Sequence, residues 1–149
     1  MNNNYRARTD FIVVHSTKTK SNENLSAKDI TLLHRKEGYF HNAFHYIIKR
    51  DGTIEQGRPE DMSGAILPIN QPLINNQNSI AVALVGGLAD DGKTLDTNFT
   101  IKQYASLREL VKKLKVKYKV EVVGCRNAIN SKSCMSFDVQ AIVDWDAPS

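Results

Sequence analysis

Two cysteines and one histidine define the chemistry open to this chain. Cys125 and Cys134 are its only cysteines. A thiolate binds zinc readily, and His15, far away along the chain, can add an imidazole nitrogen. Three protein ligands leave a fourth tetrahedral position open, which is the catalytic pattern for zinc rather than the structural one. A metal held that way acidifies water and polarises a carbonyl. The competing reading is that both cysteines are small buried apolar residues, a common use of free Cys. Spacing alone leaves the two readings open.

Ligands so far apart in sequence meet only if the fold gathers them, so the elements around them matter. Phe11-Ile12-Val13-Val14 is a continuous, branched apolar run, which predicts a strand buried on both faces with His15 at its end. Ser26 to Asp29 reads as a capping box. The helix it opens carries Ile30, Leu33 and His34 on one face and ends near Gly38. His45–Lys49 predicts a second strand, Asp51-Gly52 a hairpin turn, and Thr53–Glu55 the return strand. Gly57-Arg58-Pro59 breaks that strand. Residues 60–77 read as a long loop, which inside a compact domain is functional or mobile.

Ser79–Val85 predicts a central strand stopped by Gly86-Gly87, and Asp90-Asp91-Gly92 a turn. Thr100 and Gln103 form a second capping box. Tyr104, Leu107, Val111 and Leu114 recur at helical spacing behind it. Val120–Val123 predicts a short strand ending at Gly124, and 138–145 a last helix anchored by Trp145. Cys125 and Cys134 therefore fall just after a strand end, as His15 does at its own. The expected fold class is α/β: one domain over 1–149, a central mixed β-sheet flanked by helices, with 1–9 as a flexible extension.

With 149 residues, 41% of them hydrophobic and 24% charged, the chain has the composition of an ordinary globular domain. No stretch approaches the roughly 20 apolar residues of a membrane span. The first residues are polar with no apolar segment behind them, so synthesis without a secretory signal is expected. In a cytoplasm a disulfide would be unusual, which favours metal or free thiols for the cysteines. The net charge of +4 suits an anionic partner without choosing one. Lys112, Lys113, Lys115, Lys117 and Lys119 read as the solvated face of a helix.

Six segments, in order, resemble the type 2 N-acetylmuramoyl-L-alanine amidases, the family of small phage lysozyme-amidases and peptidoglycan recognition proteins. They are residues 11–16, 44–53, 57–59, 78–87, 98–100 and 132–138, and together they span nearly the whole chain. The resemblance implies an amidase-like fold. It implies Zn2+ held by His15, Cys125 and Cys134, with Lys132 as the cation that steadies a developing oxyanion. Lys132 is otherwise an ordinary loop lysine. The implied reaction is zinc-dependent hydrolysis of the bond between N-acetylmuramic acid and L-alanine in peptidoglycan. The alternative is an inactive relative that binds peptidoglycan, or regulates a protein partner such as a phage RNA polymerase. A monomer of phage or mobile-element origin, acting on the cell wall after release and binding neither membrane nor nucleic acid, is the matching expectation.

The departures from that family are as informative. Gly124-Cys125-Arg126-Asn127 stands where the family has Gly-His-Arg-Asp, so Cys125 replaces a His ligand. Thiolate for imidazole takes the site's formal charge from about +1 to about 0 and weakens the metal as a Lewis acid. Phe44 stands where the family has a Tyr that assists catalysis, and its position suggests that it faces the open coordination side. Ile66 replaces a His that lines the substrate groove, and Met135 follows the cysteine ligand in place of Pro. His45 either points into the groove or packs beneath the sheet. Arg58 either meets a substrate carboxylate or makes an ordinary salt bridge. His34 and His41 have no required role.

Overall fold

The computed structural model describes residues 6, 8–36, 44–64, 73–94, 96 and 98–124. Its frame is a five-stranded mixed sheet in the order β4-β3-β5-β1-β7. The strands are β1 (Phe11–Ser16), β3 (Tyr46–Ile48), β4 (Ile54–Gln56), β5 (Ser79–Leu84) and β7 (Glu121–Gly124). β1 lies between β5 and β7 and runs parallel to both; β3 is parallel to β5, and β4 alone is antiparallel. Four strands therefore end at the same rim. Two-residue strands β2 (Thr19–Lys20) and β6 (Gly87–Leu88) form a separate ladder there.

The central strands are the apolar runs expected of a sheet covered on both faces. Ile12, Val13 and Val14 are fully buried, as are Ile80, Val82, Ala83 and Leu84. Alternation splits them into two cores. Ile12, Val14, Ile80, Val82 and Leu84 pack with Leu107, Leu110, Val111 and Leu114 of α2 (Ile101–Lys117). Ala81, Ala83, Ile47 and Phe44 pack on the other face with Ile30 of α1 (Ala27–Lys36).

Both capping boxes form. Asp29 accepts from the Ser26 N–H at 3.0 Å and returns its own N–H to the Ser26 hydroxyl at 3.2 Å. Thr100 and Gln103 exchange the same pair at 2.9 and 3.1 Å. Gln103 does more than cap. Its amide Nε2 donates to the Ile48 and Val85 carbonyls at 3.0 and 2.9 Å, inside the core. That ties the start of α2 to the carboxyl ends of β3 and β5. Helix α2 then runs back to the amino rim, where Lys117 and Tyr118 reach Glu60.

Several boundaries differ from expectation. β3 begins at Tyr46 and β4 runs one residue later than predicted, because His45 occupies a bend. β7 is likewise shifted by one, to Glu121–Gly124. Leu33 is 44% exposed, so Ile30 carries the buried face of α1. The expected end of α1 at Gly38 and the helix at 138–145 lie outside the described residues.

Glu60 organises the start of the long loop. Its carboxylate accepts from the Tyr46 hydroxyl at 2.5 Å, the Tyr118 hydroxyl at 2.6 Å and the Lys117 ammonium at 2.8 Å. Burial opposes its charge, but donation from Lys117, Tyr118 and Tyr46 prevails and holds the carboxyl down at about 2. A depressed carboxylate contributes stability that is complete above its unfolded value, near 4.5, and fades as pH falls toward 2. Glu60→Gln should therefore unfold at lower urea than wild type at pH 7. The difference between them should shrink as the titration is repeated from pH 4.5 downward. A constant difference across that window would remove Glu60 from this role.

Candidate functional site

His15 is the penultimate residue of β1 and pairs in register with Ala83 of β5. Alternation turns it, with Val13, away from α2 and toward the α1 face. Phe44 meets it there, ring centroids 5.6 Å apart and planes tilted by 47°. His15 is only 4% exposed, and its Nε2 atom is buried with no hydrogen-bond partner among the described residues. A buried polar atom left so costs about 1–3 kcal/mol. Burial first, then the positive charge of Lys18 and the nearby His45, push its pKa down to about 3. The ring is therefore neutral at physiological pH, the form in which imidazole ligates a metal.

The register also shows where the other expected ligands enter. Val14 pairs with Gly124, the last described residue, so β7 delivers the chain to the rim that His15 occupies. Cys125, Lys132 and Cys134 follow it, and they lie outside the described residues, as does Ile66. Among the described residues no three His, Cys, Asp or Glu side chains cluster as a metal site. The described part of the site is thus one ligand, the ring against it and the strand end leading to the rest.

His45 lies in the interior, beside Ala81 of β5. It is fully buried, and both ring nitrogens are engaged. The Ala81 N–H donates to Nδ1 at 2.9 Å, and Nε2–H donates to the Met62 carbonyl at 2.6 Å. This fixes its tautomer as Nε2–H. Burial drives its pKa down to about 4, against the favourable Met62 hydrogen bond. Arg58 is nearly buried as well. Its N–H donates to the Phe44 carbonyl at 3.0 Å, and its guanidinium donates to the Ser63 carbonyl at 2.5 Å. The two side chains hold residues 57–64 against the sheet, with Phe44 between that segment and His15.

Three features of this rim have weak or no sequence signal. Lys18 sits at φ +56°, the one non-glycine residue with positive φ among those described. Gly87, at φ +103°, brings its backbone so close to Ser16 that an added Cβ would lie 2.7 Å from the Ser16 hydroxyl oxygen. That hydroxyl is itself buried without a partner among the described residues. Only the Gly86-Gly87 pair advertised a close approach, and it read simply as a strand stop. A groove of about 670 Å³ opens elsewhere, walled by Phe11, Leu73, Asn75 and Asn78. It lies at the amino ends of β1 and β5, remote from His15.

With fold and geometry in place, comparison with known proteins is decisive on class. The N-acetylmuramoyl-L-alanine amidase family matches residues 5–136. The chain is 41% identical over 135 residues to the endolysin of Escherichia phage T7, covering 91% of this chain and 85% of that one. It is 35% identical, with the same coverage, to the endolysin of Klebsiella phage KP32. An endolysin amidase from Clostridium intestinale superposes with a TM-score of 0.74 at 22% identity, covering 98% and 94% of the two chains. Bumblebee PGRP-SA superposes equally well at 20% identity, covering 95% and 85%. The protein belongs to the N-acetylmuramoyl-L-alanine amidase family and has the fold shared by these amidases and peptidoglycan recognition proteins.

His45→Ala should cost about 3 kcal/mol in denaturant unfolding, because it strands the Ala81 N–H and the Met62 carbonyl in the interior. A loss below about 0.5 kcal/mol would show that neither bond matters.

Proposed function

We propose that this chain is a zinc amidase of reduced turnover that cuts the N-acetylmuramoyl–L-alanine bond of peptidoglycan. Its similarity to phage endolysins supports a phage origin and a bacterial cell wall as target. The observation that carries the metal is the unpartnered Nε2 of a neutral, buried His15. A cation bonded to that nitrogen would satisfy an atom that nothing else among the described residues satisfies. Cys125 and Cys134 are the thiolates that would complete the set, and a His and two Cys suit zinc. When bound, zinc supplies Lewis acidity toward the scissile carbonyl and toward water.

The chain's own residues do the rest. Lys132, by the family resemblance, would supply the positive charge that steadies the carbonyl oxygen as it becomes negative. Phe44 gives the site an apolar wall that excludes water but offers no proton and no hydrogen bond. His45, with both nitrogens committed to the backbone, serves by holding that wall rather than by touching substrate, and Arg58 does the same through Ser63. Ile66 stands, by the family resemblance, where relatives carry a polar His, so it would offer substrate an apolar side chain instead. The reduced charge of a His-Cys-Cys set and the missing hydroxyl at position 44 both lower the expected rate. The protein works as a monomer, and regulation of a partner such as an RNA polymerase would be a separate property.

Purified peptidoglycan incubated with the protein should release new L-alanine amino termini, and a chelator should stop the release. His15→Ala should abolish it. Phe44→Tyr should raise it on the order of 10² fold, the worth of a positioned proton donor. No release at high protein concentration, or release that a chelator leaves untouched, would refute the proposal.

A further inference from the structure

The positive charge of this protein is concentrated in one place. Lys112, Lys113, Lys115, Lys117 and Lys119 are all exposed, on the last turns of α2 and just beyond it, and no acidic residue lies between Glu109 and Glu121. The chain carries +4, so without these five lysines it would carry −1. Two of them, Lys115 and Lys117, sit in the last turn, where cations favour the helix dipole. Lys117 also bridges to Glu60. Helix energetics thus account for part of the row and leave Lys112, Lys113 and Lys119 unexplained.

The position of the row is informative. α2 starts at the rim of His15, where Gln103 grips Ile48 and Val85, and ends at the opposite rim beside Glu60 and Tyr46. Its length is about 25 Å, at 1.5 Å per residue. It also covers the face of the sheet that His15 turns away from. A partner held by these lysines therefore leaves the His15 rim free.

We infer that this lysine row is a second attachment site for the anionic wall polymer itself, the carboxylate-bearing stem peptides of peptidoglycan. This rests on the proposed wall substrate. Charge complementarity selects the occupant, and two absences narrow it. The apolar face of α2 is spent on the core, leaving Val116 as the one exposed apolar side chain in the row, so there is no face to insert into lipid. The row has no arginine fork, and its one aromatic, Tyr118, is half-buried against the core with the Lys117 ammonium 5.4 Å from its ring centroid, which makes it a poor platform for stacking bases. Lysines are hydrated point charges, suited to diffuse attraction along a mesh of carboxylates. A weak hold at one end raises the effective concentration of substrate at the other.

The test is a variant with Lys112, Lys113, Lys115 and Lys119 all changed to Gln, leaving the Lys117–Glu60 bridge intact. Co-sedimentation with insoluble peptidoglycan at low ionic strength should fall roughly tenfold. Wild-type retention should fall to the variant's level in about 1 M salt, where screening shrinks to roughly 3 Å. Sacculi with amidated carboxyl groups should retain the two proteins equally. Turnover of a soluble muropeptide should not change, and an unaltered circular dichroism spectrum checks the fold. His15→Ala protein should still sediment through the lysines even if no protein cleaves, which separates this inference from the proposed reaction. Equal sedimentation of wild type and variant would overturn it. So would lysine-dependent binding that is tighter to anionic phospholipid vesicles or to duplex DNA than to the wall.

Discussion

A neutral imidazole sealed into a sheet, with one nitrogen unsatisfied by any described residue, is a cost that the rest of this fold maintains. β1 lies between two parallel neighbours, so His15 cannot slip in register without moving its whole apolar set to the other face. Phe44 closes over the ring, and burial keeps it neutral. A protein that needed only a packed core would place an apolar residue there. Histidine at that position is understandable if a metal takes up the free nitrogen.

Four polar side chains, at both rims of the sheet, fasten the elements around His15. Gln103 fastens α2 to the carboxyl ends of β3 and β5. His45 fastens β5 to Met62, and Arg58 fastens Ser63. Glu60 gathers β3 and the far end of α2. Each is a buried or half-buried polar group whose partners are backbone atoms or opposite charges, the condition under which polar groups stabilise a fold rather than weaken it. The segment 57–64 is thereby held from several directions, and with it the wall beside His15.

Much of the frame was legible in the sequence because it rests on local rules. The branched runs at 11–14 and 79–84 are short and β-branched, as covered strands are, both capping boxes are encoded within four residues, and Asp51-Gly52 is a strong hairpin-turn signal. The family resemblance likewise rested on short ordered motifs. What escaped is non-local. Glu60 finds its partners 14, 57 and 58 positions away, and nothing in the loop composition marks it. His45 precedes a strand at a bend, where the two-residue period no longer says which side a ring takes. The β2–β6 ladder is two residues long, too short for any period to register.

X-ray absorption at the zinc edge of the purified protein tests most directly whether His15 and two thiolates bind one ion. One zinc per chain is expected, with two sulfurs at about 2.3 Å and one imidazole nitrogen at about 2.0–2.1 Å, and the sulfur count should fall by one in Cys125→Ser. A metal-free protein with full native structure, or a zinc shell without sulfur, would contradict it.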